Sequence, residues 1–165
     1  MLLFLLAACP ATGLPENQNK AIPATKMESY PLIKYTAPFR QIIVASDFTL
    51  ADLEERAEYD NPVAAEPSRT SKTERNVQVA EKDVAELLSF IREKKFDQLK
   101  DAYGAKPEAR NYPHSISVHN DTWKKEVICR TSPMAEACPE VFSVVEKKII
   151  EFANKAVQLN PGEDK

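Results

Sequence analysis

Two stretches of this chain repeat apolar residues at helical spacing, and each is too long to be a strand. The first helix is predicted from about Glu81 to Lys95 and the second from about Cys138 to Asn160. Their apolar stripes are Val84, Leu87, Leu88 and Ile91, and then Val141, Val145, Ile149, Phe152 and Ala156. Such stripes predict two amphipathic helices that each bury one face against a core. Glu151 and Lys155 are expected to form an exposed i, i+4 ion pair on the second helix.

The remaining apolar residues follow the spacing of strands. β-branched and aromatic residues predict strands at 32–35, 39–48 and 75–80, and a hairpin made by 115–119 and 123–130. Residues 49–58 are open to two readings, a helix that begins with a capping box or the second arm of a hairpin. Phe96, Leu99 and Tyr103 predict a further short helical turn. We therefore expect one α+β domain over residues 30–160, with an antiparallel sheet of four to five strands covered by two main helices.

Composition excludes two classes of function. The 22 Lys and Arg against 25 Asp and Glu lack the basic excess that nucleic acid binding requires. The three glycines stand alone at Gly13, Gly104 and Gly162, so no glycine-rich phosphate loop can be built. We expect neither a nucleic acid partner nor a cofactor.

The apolar run that ends in Leu6-Ala7-Ala8-Cys9 resembles a bacterial lipobox. The resemblance implies a signal peptide at 1–8, cleavage between Ala8 and Cys9, and acylation of Cys9. Residues 9–29 are polar and rich in proline, which is typical of a flexible linker. The run has no Lys or Arg before Cys9, which a start upstream of Met1 would supply. The alternative is a buried N-terminal strand with Cys9 as a core thiol.

The lipobox implies an address in the bacterial cell envelope, at the outer membrane or its periplasmic face. With Cys9 assigned to the lipid, Cys129 and Cys138 remain as a pair in a compartment that permits disulfides. Closing that loop would contribute about 2.5 to 3 kcal/mol of stability. Two buried free thiols are the alternative, and a metal site is disfavoured because no histidine is near.

No catalytic group can be recognised. His114 and His119 are five residues apart on a predicted strand, so they should point to opposite faces and not share a metal. No serine lies in a GxSxG context. The acidic run Asp52, Glu54, Glu55 and Glu58 is expected to be a solvated face. We therefore expect a non-enzymatic protein without a metal, and a hydrolase is the least favoured alternative because no nucleophile, base and orienting group can be assembled from these residues.

Two features bear on what the protein binds. Trp123, directly after the Asn120-Asp121-Thr122 turn, is a candidate binding anchor or else a cover for the sheet. The order strand, helix, FxxL from Phe96 to Leu99, hairpin and proline-initiated helix resembles emfourin-type domains over Val77 to Phe152. That family includes metalloprotease inhibitors. The leading hypothesis is a lipid-anchored envelope protein that binds another envelope protein, and the alternative is an inhibitor that uses loop Asp60 to Thr73.

Overall fold

The fold is a mixed sheet of seven strands with two α-helices on one face, in the 30–58, 69–120 and 122–160 ranges that the computed structural model of the protein describes. A single 3-10 turn, Phe96–Gln98, follows the first helix. In chain order the strands and helices are β1 (Ile33–Ala37), β2 (Arg40–Val44), β3 (Thr49–Glu58), β4 (Arg69–Gln78), α1 (Glu81–Glu93), β5 (Ala102–Gly104), β6 (Tyr112–His119), β7 (Lys124–Thr131) and α2 (Glu140–Leu159).

The first strand lies in the middle of the sheet. The strand order is β4-β3-β2-β1-β6-β7-β5, and every neighbouring pair is antiparallel except β5 and β7. Ile33 of β1 is opposite Val44 of β2 on one side and Val118 of β6 on the other. The ladder between β1 and β6 therefore joins β1 to β4 on one side of the sheet to β5, β6 and β7 on the other.

The core lies between the sheet and the two helices. Alternate residues of β1, β2, β6 and β7 are fully or almost fully buried, because successive side chains of a strand point to opposite faces. The helices bury most of the predicted stripes, with Val84, Leu87 and Ile91 from α1 and Val145, Ile149 and Ala156 from α2. The predicted Leu88, Val141 and Phe152 are only partly buried, and Phe142 and Ala153 are buried although the predicted stripe did not include them. Each such side chain contributes about 1.5 to 3 kcal/mol when it is fully buried.

The predicted α+β class and its two helices are confirmed, but the prediction of four to five antiparallel strands is wrong. Residues 39–48 do not form one strand, because β2 ends at Val44 and a tight turn follows. In that turn the Phe48 amide donates to the Ala45 carbonyl at 3.1 Å, and Phe48 has a φ of 62°. Residues 49–58 form the hairpin arm β3 and no helix.

Two further strands lack the apolar pattern on which the prediction relied. β4 begins at Arg69 and pairs with β3 over ten residues, although its first half is polar. An edge strand can be polar because neither of its faces has to enter the core there. Tyr103 lies on the three-residue strand β5 and does not extend a helical turn, because the 3-10 segment ends at Gln98.

Several sequence predictions concern residues outside the described ranges. The signal peptide 1–8, Cys9 and the linker 9–29 are among them. So are residues 60–68 of the expected inhibitory loop, whereas Arg69 to Thr73 of that loop belong to β4. Neither described helix is long and apolar enough to cross a membrane.

Replacing Gly104 with alanine is expected to lower the free energy of unfolding by about 2 to 3 kcal/mol. Gly104 has a φ of 83°, and an added Cβ would collide with the backbone carbonyl oxygen of Arg130 on β7. Urea unfolding followed by circular dichroism measures the change. Ala102→Ser, at an exposed position of the same strand, is the control and should change stability by less than about 0.5 kcal/mol. Equal stabilities of the two variants would contradict the expected collision.

Candidate functional site

A charged cluster fastens α2 to the sheet on one side of the helix. Arg40 donates from Nε and Nη2 to the two carboxylate oxygens of Asp52, both at 2.8 Å, and Nη2 also donates to Asn154 of α2 at 2.6 Å. Asp52 is 1% exposed. A bidentate Arg–carboxylate pair offsets part of the cost of removing both charges from water. The hydrogen bond to Asp52 raises the pKa of Arg40 even though burial opposes it, so the guanidinium stays charged.

The acidic run of β3 is therefore not one solvated face, and the prediction is wrong for Asp52. Alternation along the strand places Asp52 and Glu54 on the face that carries the helices, where Arg75 lies 4.0 Å from Asp52 and 3.8 Å from Glu54. Glu55 points to the opposite face and is exposed. The burial of Asp52 depends on Arg40 and Arg75 on the neighbouring strands, which the spacing of the run does not reveal.

A second polar contact lies nearer the start of α2. The Tyr35 hydroxyl donates to Oε1 of Glu146 at 2.9 Å, and Nδ1 of His114 lies 2.6 Å from the same oxygen, which fits an Nδ1-protonated imidazole. Burial, and then the negative charge of Glu146, raise the pKa of Tyr35, so its hydroxyl stays protonated. The contact therefore supplies donors that hold a helix carboxylate against the sheet.

The two histidines lie on opposite faces, as their spacing indicates. His114 shares its face with the buried Ile116, whereas the His119 ring contacts that of Tyr30, with 5.1 Å between the ring centres and 51° between the ring planes. Nδ1 of His119 is buried without a hydrogen-bond partner within the described part of the chain. No group of three or more His, Cys, Asp and Glu residues in that part is arranged to hold a metal ion.

A small cavity of about 310 Å³ adjoins His114 and Glu146, and Cys138 forms part of its wall. In the structure the sulfurs of Cys129 and Cys138 are bonded, with 5.9 Å between the Cα atoms. Cys129 lies on β7 and Cys138 lies just before α2, so the bond joins the sheet to the start of the helix.

A larger groove of about 750 Å³ runs between α1 and α2. Phe90 from α1 and Phe152 and Leu159 from α2 supply apolar surface that is at least partly open, and Leu159 is 69% exposed. The lining also includes Leu87 and Ala156, which are buried in the core. Charged side chains from both helices form the rims. An apolar groove with a polar rim is the usual anatomy of a binding surface.

The rim charges differ from the sequence prediction. Glu151 pairs with Lys147 at 3.9 Å, so the predicted pair with Lys155 is wrong. Across the described residues, Lys155 and Lys148 have no acidic partner within 4 Å. Nζ of Lys148 instead lies 5.6 Å from the centre of the Phe90 ring. The helix spacing of Lys148, Phe152, Lys155 and Leu159 was the signal for a second stripe on α2, and the sequence prediction missed it.

Trp123 is partly buried and packs against the core cluster. The Asn120 side chain accepts hydrogen bonds from the backbone amides of Thr122 and Trp123, at 3.0 and 2.9 Å, which fixes the approach to β7. The role of Trp123 as a binding anchor stays a prediction.

Comparison of the chain with protein-family models, curated proteins and solved structures finds no match. The resemblances to lipoproteins and to emfourin-type domains stay predictions that rest on the residues that carry them.

Replacing Asp52 with asparagine is expected to destabilise the fold by about 2 to 3 kcal/mol, because it leaves Arg40 partly buried without its carboxylate. The matched control is Glu55→Gln, which removes an exposed carboxylate from the same strand and should change stability by less than about 0.5 kcal/mol. Chemical unfolding of both variants measures the difference. A loss for Asp52→Asn no larger than that of the control would contradict this account of the cluster.

Proposed function

We propose that this chain is a non-enzymatic, lipid-anchored protein of the bacterial cell envelope that binds another protein through the groove between α1 and α2. The observation that carries the binding role is the groove itself, which has apolar walls and, among the described residues, three rim charges without an ion-pair partner: Asp83, Lys148 and Lys155. The lipobox Leu6-Ala7-Ala8-Cys9 carries the address. Neither part depends on the other.

The arrangement of the chain supports the anchor. Residues 10–29 separate Cys9 from the first described residue, Tyr30, and their proline-rich, polar composition suits a linker between a membrane and a folded domain. One acyl chain gives only marginal membrane binding, and two or more give stable anchoring. A Cys9 that carries two or more acyl chains would therefore hold the domain near the bilayer without a transmembrane segment.

The groove supports the binding role because its walls remain open after the domain has buried its core. Phe90 and Phe152 are only partly buried and Leu159 is mostly exposed, although all three lie beside buried residues of the same helices. Covering such side chains contributes about 25 cal/mol for each Å² of apolar surface removed from water. A protein partner that covers this groove would gain that contribution.

Cys9→Ser is expected to move the protein from the membrane fraction to the soluble fraction of a bacterial host, because a hydroxyl does not replace the thiol that receives the lipid. Immunoblotting of separated fractions, with Ala11→Ser two residues after Cys9 as the control, measures the shift. The control should stay with the membrane. Unchanged fractionation of Cys9→Ser would overturn the anchor.

A photo-crosslinking residue at Leu159 is expected to trap a protein partner in intact cells, because this side chain lies at the open end of the groove. The same residue at Lys72, an exposed position on β4 that does not line the groove, is the control. Products that appear from both positions, or from neither, would contradict a partner in the groove.

A further inference from the structure

The groove has the length and direction of a helix-binding site. α1 and α2 run antiparallel along it, since Lys148 lies over Phe90 at one end while Ala80 and Leu159 line the other. The span from Ala80 to Phe90 is about 15 Å at 1.5 Å per helical residue. That length corresponds to about three turns of a third helix.

The side chains along both walls repeat at the spacing that helices use to pack on one another. The α2 wall carries Lys148, Phe152, Lys155 and Leu159 at steps of four, three and four. The other wall carries Ala80, just before α1, and then Asp83, Leu87 and Phe90 of α1, at steps of three, four and three, and of these Leu87 is buried. Alternating steps of three and four keep side chains on one helical face, where a neighbouring helix can interdigitate with them.

Among the described residues, the charges that have no ion-pair partner differ in sign between the two walls. Lys148 and Lys155 are two helical turns, or about 10.5 Å, apart on α2, and neither has an acidic partner within the described residues. Glu86 and Glu151 also line the groove, but each is paired with a lysine of its own helix, Lys82 and Lys147. On the opposite wall, Asp83 has no basic partner in the same part of the chain.

We propose that the groove binds an amphipathic α-helix of another protein. This helix carries an apolar stripe of about three turns, two carboxylates seven residues apart that face Lys148 and Lys155, and a basic residue that faces Asp83. The side chains of a bound helix recur every three or four residues, as those of the groove walls do. One helix can therefore place an apolar face on the apolar walls and charged side chains against the lysines and against Asp83 at the same time. The inference rests on the proposed role of the groove and not on the lipid anchor.

An acyl chain is the main rival occupant, because the volume of the groove is also in the range of small-ligand sites. A single fatty acid has one carboxylate, which can pair with only one of two lysines about 10.5 Å apart. It also leaves Asp83 without a partner. The spacing of the charges therefore favours a helix.

The test uses the full chain with Cys9→Ser and fluorescent 14-residue peptides. The first peptide has a leucine stripe, two glutamates seven residues apart on one edge and lysines on the other. The second replaces the two glutamates with glutamine, and the third replaces them with lysine. In fluorescence anisotropy at about 50 mM salt, the glutamate peptide should bind saturably and about tenfold more tightly than the glutamine peptide.

Charge reversal in the groove should reverse this preference. The double variant Lys148→Glu, Lys155→Glu should bind the lysine peptide more tightly than the glutamate peptide. Lys34→Glu is the control, because this exposed lysine of β1 does not line the groove, and it should keep the wild-type order. Thermal melts show that each variant is folded.

Equal binding of the glutamate and glutamine peptides, or an unchanged preference in the double variant, would overturn the proposal. Saturable binding of dodecanoate together with no peptide binding would also overturn it and assign the groove to an acyl chain. A crosslink from Leu159 to a protein, without the peptide preference, would leave the proposed function standing and reject the helix chemistry. The absence of both the crosslink and peptide binding would reject the binding role of the groove and the helix proposal together.

Discussion

The packing of α2 across the sheet uses three different kinds of contact. A disulfide joins the segment before the helix to β7, apolar residues such as Val145 and Ile149 enter the core, and Asn154 bonds to Arg40 near the other end. A helix held along its whole length has little freedom to roll or slide. The positions of the cavity beside His114 and of the groove beside α1 both follow from this attachment.

The two flanks of α2 are chemically unlike each other. One flank carries Glu146 and Asn154, whose side chains bond to groups on the sheet. The other flank carries the wall that begins at Lys148 and ends at Leu159, and its lysines have no acidic partners among the described residues. Polar groups are therefore satisfied on the side where the helix meets the sheet, and the open side keeps both apolar surface and charge for binding.

Local patterns in the sequence identified the elements whose side chains alternate between core and solvent. Examples are α1 and α2 with their apolar stripes and β6 and β7 with their alternating residues. In each of them the spacing of the apolar residues indicates that one face is buried. β3 was ambiguous because its acidic residues suit either a helix or a strand. The polar half of β4 carries no such pattern, and only its pairing with β3 makes it a strand.

Contacts between distant residues explain the remaining differences. The burial of Asp52 requires Arg40, and the hydrogen bond of Tyr35 requires Glu146, which lies in the last helix. The groove needs the relative placement of two helices that lie far apart in the chain. The lysines of α2 could be read from the sequence as a stripe, but their lack of partners could not.

The central place of β1 has a mechanical consequence. Tyr30, the described residue nearest the proposed anchor, lies three residues before β1, and β1 is held by ladders to β2 and to β6. Tension on a membrane tether would pull β1 along its own axis, so both ladders would be loaded in shear and their hydrogen bonds would share the force. An edge strand in the same position would peel away one bond at a time. The strand order thus suits a domain that is tethered by its N-terminal end.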